Sequence, residues 1–218
     1  MDRTWLKRRL ELESMMGVDA LPEGAPSARQ DELRELEAQV KQCTRCPLHK
    51  TRTQGVFARG DPNADLVFVG EAPGAEEDRQ GEPFVGPAGK LLDRMIYAMG
   101  LRRDEVYITN ILKSRPPGNR DPRVGEVEAC FPYLERQIEL VKPQIICTLG
   151  RPASNAMLGT NRSMGDMRGQ WHSYRGIPLL PVYHPAYLLR SPHQKKRTWQ
   201  DMKMLITALK EGPPKMLF

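Results

Sequence analysis

Leu66-Val-Phe-Val-Gly-Glu-Ala-Pro-Gly-Ala-Glu-Glu-Asp78, with Gly81-Glu-Pro-Phe-Val-Gly-Pro-Ala-Gly-Lys90 close behind it, is the stretch on which the fold turns. An apolar run over 66–69 stops abruptly in glycine, proline and the carboxylates of Glu71, Glu76, Glu77 and Asp78. A buried strand reads this way when it delivers a polar loop to the end of a sheet. Ligand sites of open α/β sheets lie at such ends.

Working outward, the same alternation recurs. Strands are expected over 66–69, 106–111, 144–149 and 177–182, and helices over 88–99, 125–140, 151–158 and 196–210. Residues 171–182 read as a hairpin turning at Arg175-Gly176, whose second arm carries Tyr183-His184-Pro185 to the sheet end. Strands alternating with helices call for a parallel sheet covered on both faces. The expected fold is therefore α/β, a three-layer αβα arrangement with a central, mainly parallel, four-stranded sheet. Towards the N-terminus, Asp31 is placed to cap a helix with the stripe Leu33, Leu36 and Val40, ending at Cys43-Thr-Arg-Cys-Pro47. Leu6, Leu10 and Met15 give a short amphipathic helix over 2–16, and 17–29 reads as a linker. The organisation expected is an arm over 1–30, one domain over 31–212 and a tail over 213–218.

The 218 residues fit a single domain of ordinary size. No run of about 18 apolar residues is present to span a bilayer, and the charged start Met1-Asp-Arg-Thr-Trp-Leu-Lys-Arg-Arg9 lacks the apolar core of a signal peptide. A soluble, cytoplasmic protein associated with the nucleoid is expected, with no membrane partner. The net charge of +6 suits a polyanionic partner, although a solvated basic surface gives the same number. Without a secretion signal, the Cys43/Cys46 pair suggests a metal or redox site rather than a disulfide. Gly86-x-x-Gly89-Lys90 hints at a phosphate loop, but Phe84 and Leu91 stand where that pattern needs glycine and a hydroxyl residue. A nucleotide hydrolase is disfavoured on that ground.

Six segments recur in order: Gly70-Glu-Ala-Pro-Gly74, Pro83-Phe-Val-Gly86, Ile108-Thr-Asn110, Lys113-Ser-Arg-Pro-Pro-Gly-Asn-Arg-Asp-Pro122, Met167-Arg-Gly-Gln-Trp171 and His184-Pro-Ala-Tyr-Leu-Leu-Arg190. Together they resemble the family 4, iron-sulfur uracil-DNA glycosylases, over roughly Cys43 to Lys210. The resemblance implies a monofunctional DNA glycosylase acting on uracil in single- or double-stranded DNA; a monomer is expected. It would leave an abasic site for base excision repair. Such an enzyme needs a flipped nucleotide, a pocket reading the base edge, a stacking surface and stabilisation of the departing base. The resemblance assigns Phe84 to stacking, and Asn110 to the uracil edge, where an amide offers both donor and acceptor. It assigns His184 as donor to the departing base, Glu71 to the attacking water, Ala72 to a backbone N–H and Glu77 to the pocket wall near the base C5. A noncatalytic iron-sulfur DNA-binding module is the alternative, and the joint presence of Glu71, Phe84, Asn110 and His184 argues against it.

In the same reading the loop after His184 enters the minor groove, with Leu188 as the apolar wedge and Arg190, Lys195 and Lys196 on phosphates. A structural [4Fe-4S] cluster is implied on Cys43, Cys46 and Cys130, with Ser114 where relatives carry the remaining cysteine. Cys147, inside an apolar strand, reads as a buried thiol. The last residues, Pro213-Pro-Lys-Met-Leu-Phe218, end in apolar side chains suited to a sliding-clamp groove, or to folding back on the domain.

Overall fold

The structure is a computed structural model and describes residues 28–214. The expected helix over 2–16, the linker up to residue 27 and the final residues of the clamp segment lie outside the described residues.

Six strands form one sheet: β1 (Ala58–Gly60), β2 (Leu66–Gly70), β3 (Tyr107–Asn110), β4 (Ile145–Leu149), β5 (His172–Tyr174) and β6 (Ile177–Val182). Their order is β1-β3-β2-β4-β6-β5. The inner four run parallel, as expected, and the short β1 and β5 extend them antiparallel at the two edges. The hairpin over 171–182 is present as β5 and β6. β1 gives no sequence signal, because Ala-Arg-Gly is too short and too polar to alternate.

Side chains alternate across the sheet, and two separate cores result. Val67, Val69, Tyr107, Ile146 and Leu179 point to one face. There they meet α1 (Ala28–Gln42), α4 (Val124–Val141) and α5 (Arg151–Leu158) through Leu36, Val40, Leu134, Ile138 and Met157. Leu66, Phe68, Ile108, Ile145, Cys147 and Leu180 point to the other face. That face is covered by α3 (Pro87–Ala98) and α8 (Lys195–Glu211) through Leu92, Ile96, Met202 and Leu205. Each fully buried side chain of this kind contributes about 1.5–3 kcal/mol. The chain belongs to the three-layer αβα class, and among the described residues no helix is long and apolar enough to cross a membrane.

Three local expectations are corrected. Helix α1 begins at Ala28, so Asp31 lies in its first turn and pairs with Arg34 at 3.4 Å instead of capping. Residues 75–80, read as loop, form α2 (Ala75–Gln80), a helix without an apolar stripe that Glu77 ties to the backbone before and after it. Residues 185–190 form α7 (Pro185–Arg190), which follows a single-turn α6 (Met164–Met167) and packs against α3. Leu188 of α7, expected as an exposed wedge, is only 1% exposed. The N-cap at His184 and the start at Pro185 turn that face of the helix into the molecule.

Candidate active site

The four parallel strands all open, at their C-terminal ends, onto one cavity of about 800 Å³. β2 supplies Glu71 and Ala72, β3 supplies Asn110, β4 supplies Gly150 and Arg151, and β6 supplies Tyr183 and His184. Glu77 and Phe84 join them from the α2–α3 segment. All six residues assigned to catalysis and base recognition thus line a single space, at the sheet end where the strand pattern put them.

Phe84 is held there under backbone strain. Its φ of +56° lies in the left-handed region, uncommon for a bulky side chain. Two glycines accommodate this conformation. A Cβ on Gly89 would sit 1.8 Å from the Phe84 carbonyl oxygen, and one on Gly70 would sit 2.5 Å from the ring and 2.3 Å from Asn110 Oδ1. The Gly70 in the motif is therefore what lets Phe84 and Asn110 occupy neighbouring positions.

Asn110 is 2% exposed, and its Oδ1 has no hydrogen-bond partner among the described residues. A buried orphan acceptor costs roughly 1–3 kcal/mol unless something else satisfies it. Below it, the fully buried Lys113 Nζ donates to the Asn110 carbonyl oxygen at 2.7 Å, to Thr109 Oγ1 at 2.7 Å and to Gln137 Oε1 at 2.5 Å. Burial lowers the Lys113 amine to about 7.

The two titratable groups expected in catalysis respond oppositely to burial. His184 is lowered to about 4, first by desolvation and then by Arg190, so its ring is neutral near pH 7. Its Nδ1 accepts a hydrogen bond from the Ala186 backbone N–H at 3.1 Å, which places the ring proton on Nε2. The ring lies 5.7 Å, centre to centre, from that of Phe84. Glu71 is raised to about 7, mainly by desolvation and further by Asp121, against the lowering effect of Arg151. Glu77 lines the cavity, but its carboxylate is occupied: Oε1 accepts from Val85 N at 2.9 Å and Gly86 N at 2.8 Å, and Oε2 from Gly74 N at 3.1 Å. Its evident work is to fix the two loops that carry Glu71 and Phe84.

Sequence reasoning overlooked several members. Asp78 is buried and accepts three hydrogen bonds from Thr53, tying α2 to the segment after Cys46. Asp121 and Arg151 share the cavity with Glu71. Arg151 was within reach of the sequence, because it stands two residues after β4, the one parallel strand whose end had been given no residue. Asp121 comes from the loop ahead of α4, within the Lys113–Pro122 segment of the resemblance, which gave it no role of its own.

Among the residues assigned to DNA, Arg190 lines the cavity mouth, and Lys195 and Lys196 are exposed at the start of α8. The exposed leucine is Leu189, at 40%, next to the buried Leu188.

The cysteines divide between the two faces of the sheet. Cys43 and Cys46 pack against the core containing Cys130, whose thiol burial pushes up and the nearness of Cys46 and Cys43 pushes further in the same direction. Cys130 Sγ accepts from Lys113 N at 3.2 Å, one residue from Ser114. Arg52 donates to Ser114 Oγ at 2.8 Å and to the Lys41 and Cys43 carbonyl oxygens at 2.8 and 3.1 Å, joining the two segments. Among the described residues no group of three His, Cys, Asp or Glu side chains is arranged to hold a metal ion. An iron-sulfur cluster, whose thiolates bind different irons, spreads its ligands more widely than a single ion does. The donor types and their shared location fit such a group. Cys147 lies in the opposite core and is fully buried.

Comparison with known proteins gives a consistent result. The model of the uracil DNA glycosylase superfamily matches residues 57–203. A type-4 uracil-DNA glycosylase of Sulfurisphaera tokodaii is 45% identical over 184 residues, covering 80% of this chain and 84% of the relative. Its counterpart in Archaeoglobus fulgidus is 42% identical, covering 80% of this chain and 92% of the relative. That of Saccharolobus solfataricus is 42% identical, covering 84% and 89%.

Proposed function

We propose the division of labour that follows on the premise that this chain belongs to the uracil-DNA glycosylase superfamily and, within it, to the type-4 enzymes, hydrolases of N-glycosyl bonds. The observation that supports it most is the buried, unpartnered Asn110 Oδ1 in the same cavity as Phe84 and a neutral His184. Uracil flipped into the cavity lies against Phe84, and Asn110 Oδ1 accepts its N3–H. Cytosine carries no proton at that position and leaves the acceptor orphaned, so the same atom that binds uracil rejects cytosine. As the bond between C1′ and N1 breaks, its electron pair leaves with the base, and negative charge develops on O2. His184 Nε2–H donates to that oxygen. The donor is neutral and already oriented by Ala186 N, so it need not reorganise as charge appears. Ionised Glu71 holds the attacking water, takes its proton as oxygen bonds to C1′, and opposes the cationic character of the sugar. The Ala72 N–H donates to the bound uracil. Glu77 closes the base C5 side through the loops it anchors.

Leu189 takes the wedge role expected of Leu188, with Arg190, Lys195 and Lys196 on the phosphates. Cys43, Cys46 and Cys130, with Ser114 at the remaining corner, would hold the [4Fe-4S] cluster. When bound, the cluster supplies no chemistry to the reaction and ties α1, α4 and the segment after β3 together. The protein works in the cytoplasm as a monomer on DNA, and residues 213–218 engage a sliding clamp.

Single-turnover release of uracil from a labelled oligonucleotide tests the assignment. His184→Ala is expected to lose about 10²–10³-fold, as for removal of one preorganised donor. Asn110→Ala is expected to lose activity strongly with an unchanged melting temperature. Wild-type turnover in either variant removes that residue from the site, and absence of release by the native protein favours a noncatalytic DNA-binding module.

A further inference from the structure

Tyr183 and Tyr187 line the cavity but take no part in the steps above. A volume of about 800 Å³ would enclose a drug-sized ligand, and one pyrimidine ring fills only a fraction of it. Part of the site therefore faces something other than uracil. The two tyrosine rings lie 5.0 Å apart, centre to centre, tilted by 39°. The Arg168 guanidinium stands 5.4 Å from the centre of the Tyr183 ring.

Arg168 is itself immobilised. It donates to both oxygens of the buried Asp201, at 2.9 and 2.7 Å, and to the Arg197 carbonyl oxygen at 2.8 Å. A guanidinium fixed in this way against an aromatic face holds the ring in place and enriches its stack. Neither tyrosine hydroxyl has a protein hydrogen-bond partner among the described residues, so polar bonding within the fold does not account for the pair. Exposed cations accompany it: Arg190 lines the same cavity, and Lys195 and Lys196 follow in the chain at the start of α8. Aromatic rings set among cations along a groove are how proteins hold unpaired strands, because every nucleobase offers a π face whatever its sequence.

We propose that Tyr183 and Tyr187 form a second base site, a stacking platform for the unpaired nucleobase adjacent to the flipped uracil. The proposal rests on the glycosylase reading above. It makes the preferred substrate one whose neighbouring base is free to leave its partner, in a single strand or a frayed end.

The test uses single-stranded oligonucleotides in which the base on one side of uracil, then on the other, is replaced by a tetrahydrofuran abasic unit. Steady-state uracil release is measured with the native enzyme, Tyr187→Ala, Tyr187→Leu and Tyr187→Phe. For the intact oligonucleotide, Tyr187→Ala and Tyr187→Leu should raise KM by about 5–150-fold with kcat nearly unchanged, while Tyr187→Phe stays close to native. The native enzyme should show the same rise with one of the two abasic-flanked oligonucleotides, on which the variants lose nothing more. Equal losses for the variants on intact and abasic-flanked substrates would overturn the platform, as would a loss confined to kcat. Tyr187→Leu keeps an apolar side chain in place, so a packing defect in Tyr187→Ala alone is recognised by native behaviour of Tyr187→Leu, which also overturns it. If the native enzyme releases uracil from no substrate, the glycosylase reading fails instead.

Discussion

Glu71 and His184 are titrated in opposite directions by the same cause, because burial penalises whichever form carries charge. Glu71, at about 7 against an ordinary 4.5, keeps a proton between those values that the unfolded chain has released. Its ionisation therefore weakens the fold as pH rises from about 4.5 through 7. His184, at about 4 against 6.5, stays neutral where the unfolded chain is protonated, so its effect weakens the fold as pH falls from 6.5 through 4. Glu71→Gln should remove the first effect: at pH 8 the variant should be more stable by about 1–2 kcal/mol, after allowing for partial contact of the carboxylate with water, and near native at pH 4.5. Denaturant unfolding at the two values decides it, and an equal gain at both would mean that ionisation is not the cause. Glu71→Gln should also abolish excision, which in the native enzyme should rise with pH through about 7 as Glu71 ionises. The resemblance named these two residues, and the strand pattern put both at the sheet end, Glu71 directly after β2 and His184 two residues after β6. The perturbing Asp121 was not so placed, since only the fold brings its loop over the strand end.

Helix α7 carries the clearest lesson at the scale of elements. In Tyr187-Leu188-Leu189-Arg190 an apolar wedge is easy to see, but which leucine faces out depends on whether the segment is a loop or a helix. His184 caps it with Nδ1 and Pro185 opens it, so a six-residue helix forms that packs against α3 and buries Leu188. Leu188→Ala should thus cost about 2–5 kcal/mol of stability, as a buried truncation. Leu189→Ala should stay within about 0.5 kcal/mol of native yet lower excision from duplex DNA. Chemical denaturation and duplex excision on both variants separate the roles. A stability loss in Leu189→Ala with none in Leu188→Ala would reverse the assignment. Elsewhere, elements with apolar periodicity were legible to within about two residues at each end: α3, α4, α5, α8 and the inner strands. β1 and α2 were not, because neither buries an apolar face, and α2 owes its place to hydrogen bonds from Gly74, Val85 and Gly86 to Glu77.

At the scale of the molecule, the sheet is a partition. Cys147 has the same parity along β4 as Ile145 and Leu149, so it joins the core beneath α3 and α8. Cys43, Cys46 and Cys130 belong to the core beneath α1 and α4. For Cys147 to ligate iron at their site, β4 would have to shift by one residue, which would turn all its side chains to the wrong faces. Ser114 is the available neighbour, one residue from the Lys113 amide that donates to Cys130 Sγ. Its oxygen is a harder ligand than thiolate, and it already accepts from Arg52, so the corner it offers a cluster is the weakest of the four. Iron analysis, EPR and the rate of iron loss to a chelator should accordingly separate three variants. Cys147→Ala should keep native iron content and lose on the order of 1 kcal/mol of stability as a core truncation. Ser114→Cys should lose iron more slowly than native, and Ser114→Ala faster. Iron loss in Cys147→Ala, with native retention in Ser114→Ala, would mean that the sheet does not separate the two sites as the alternation of β4 requires.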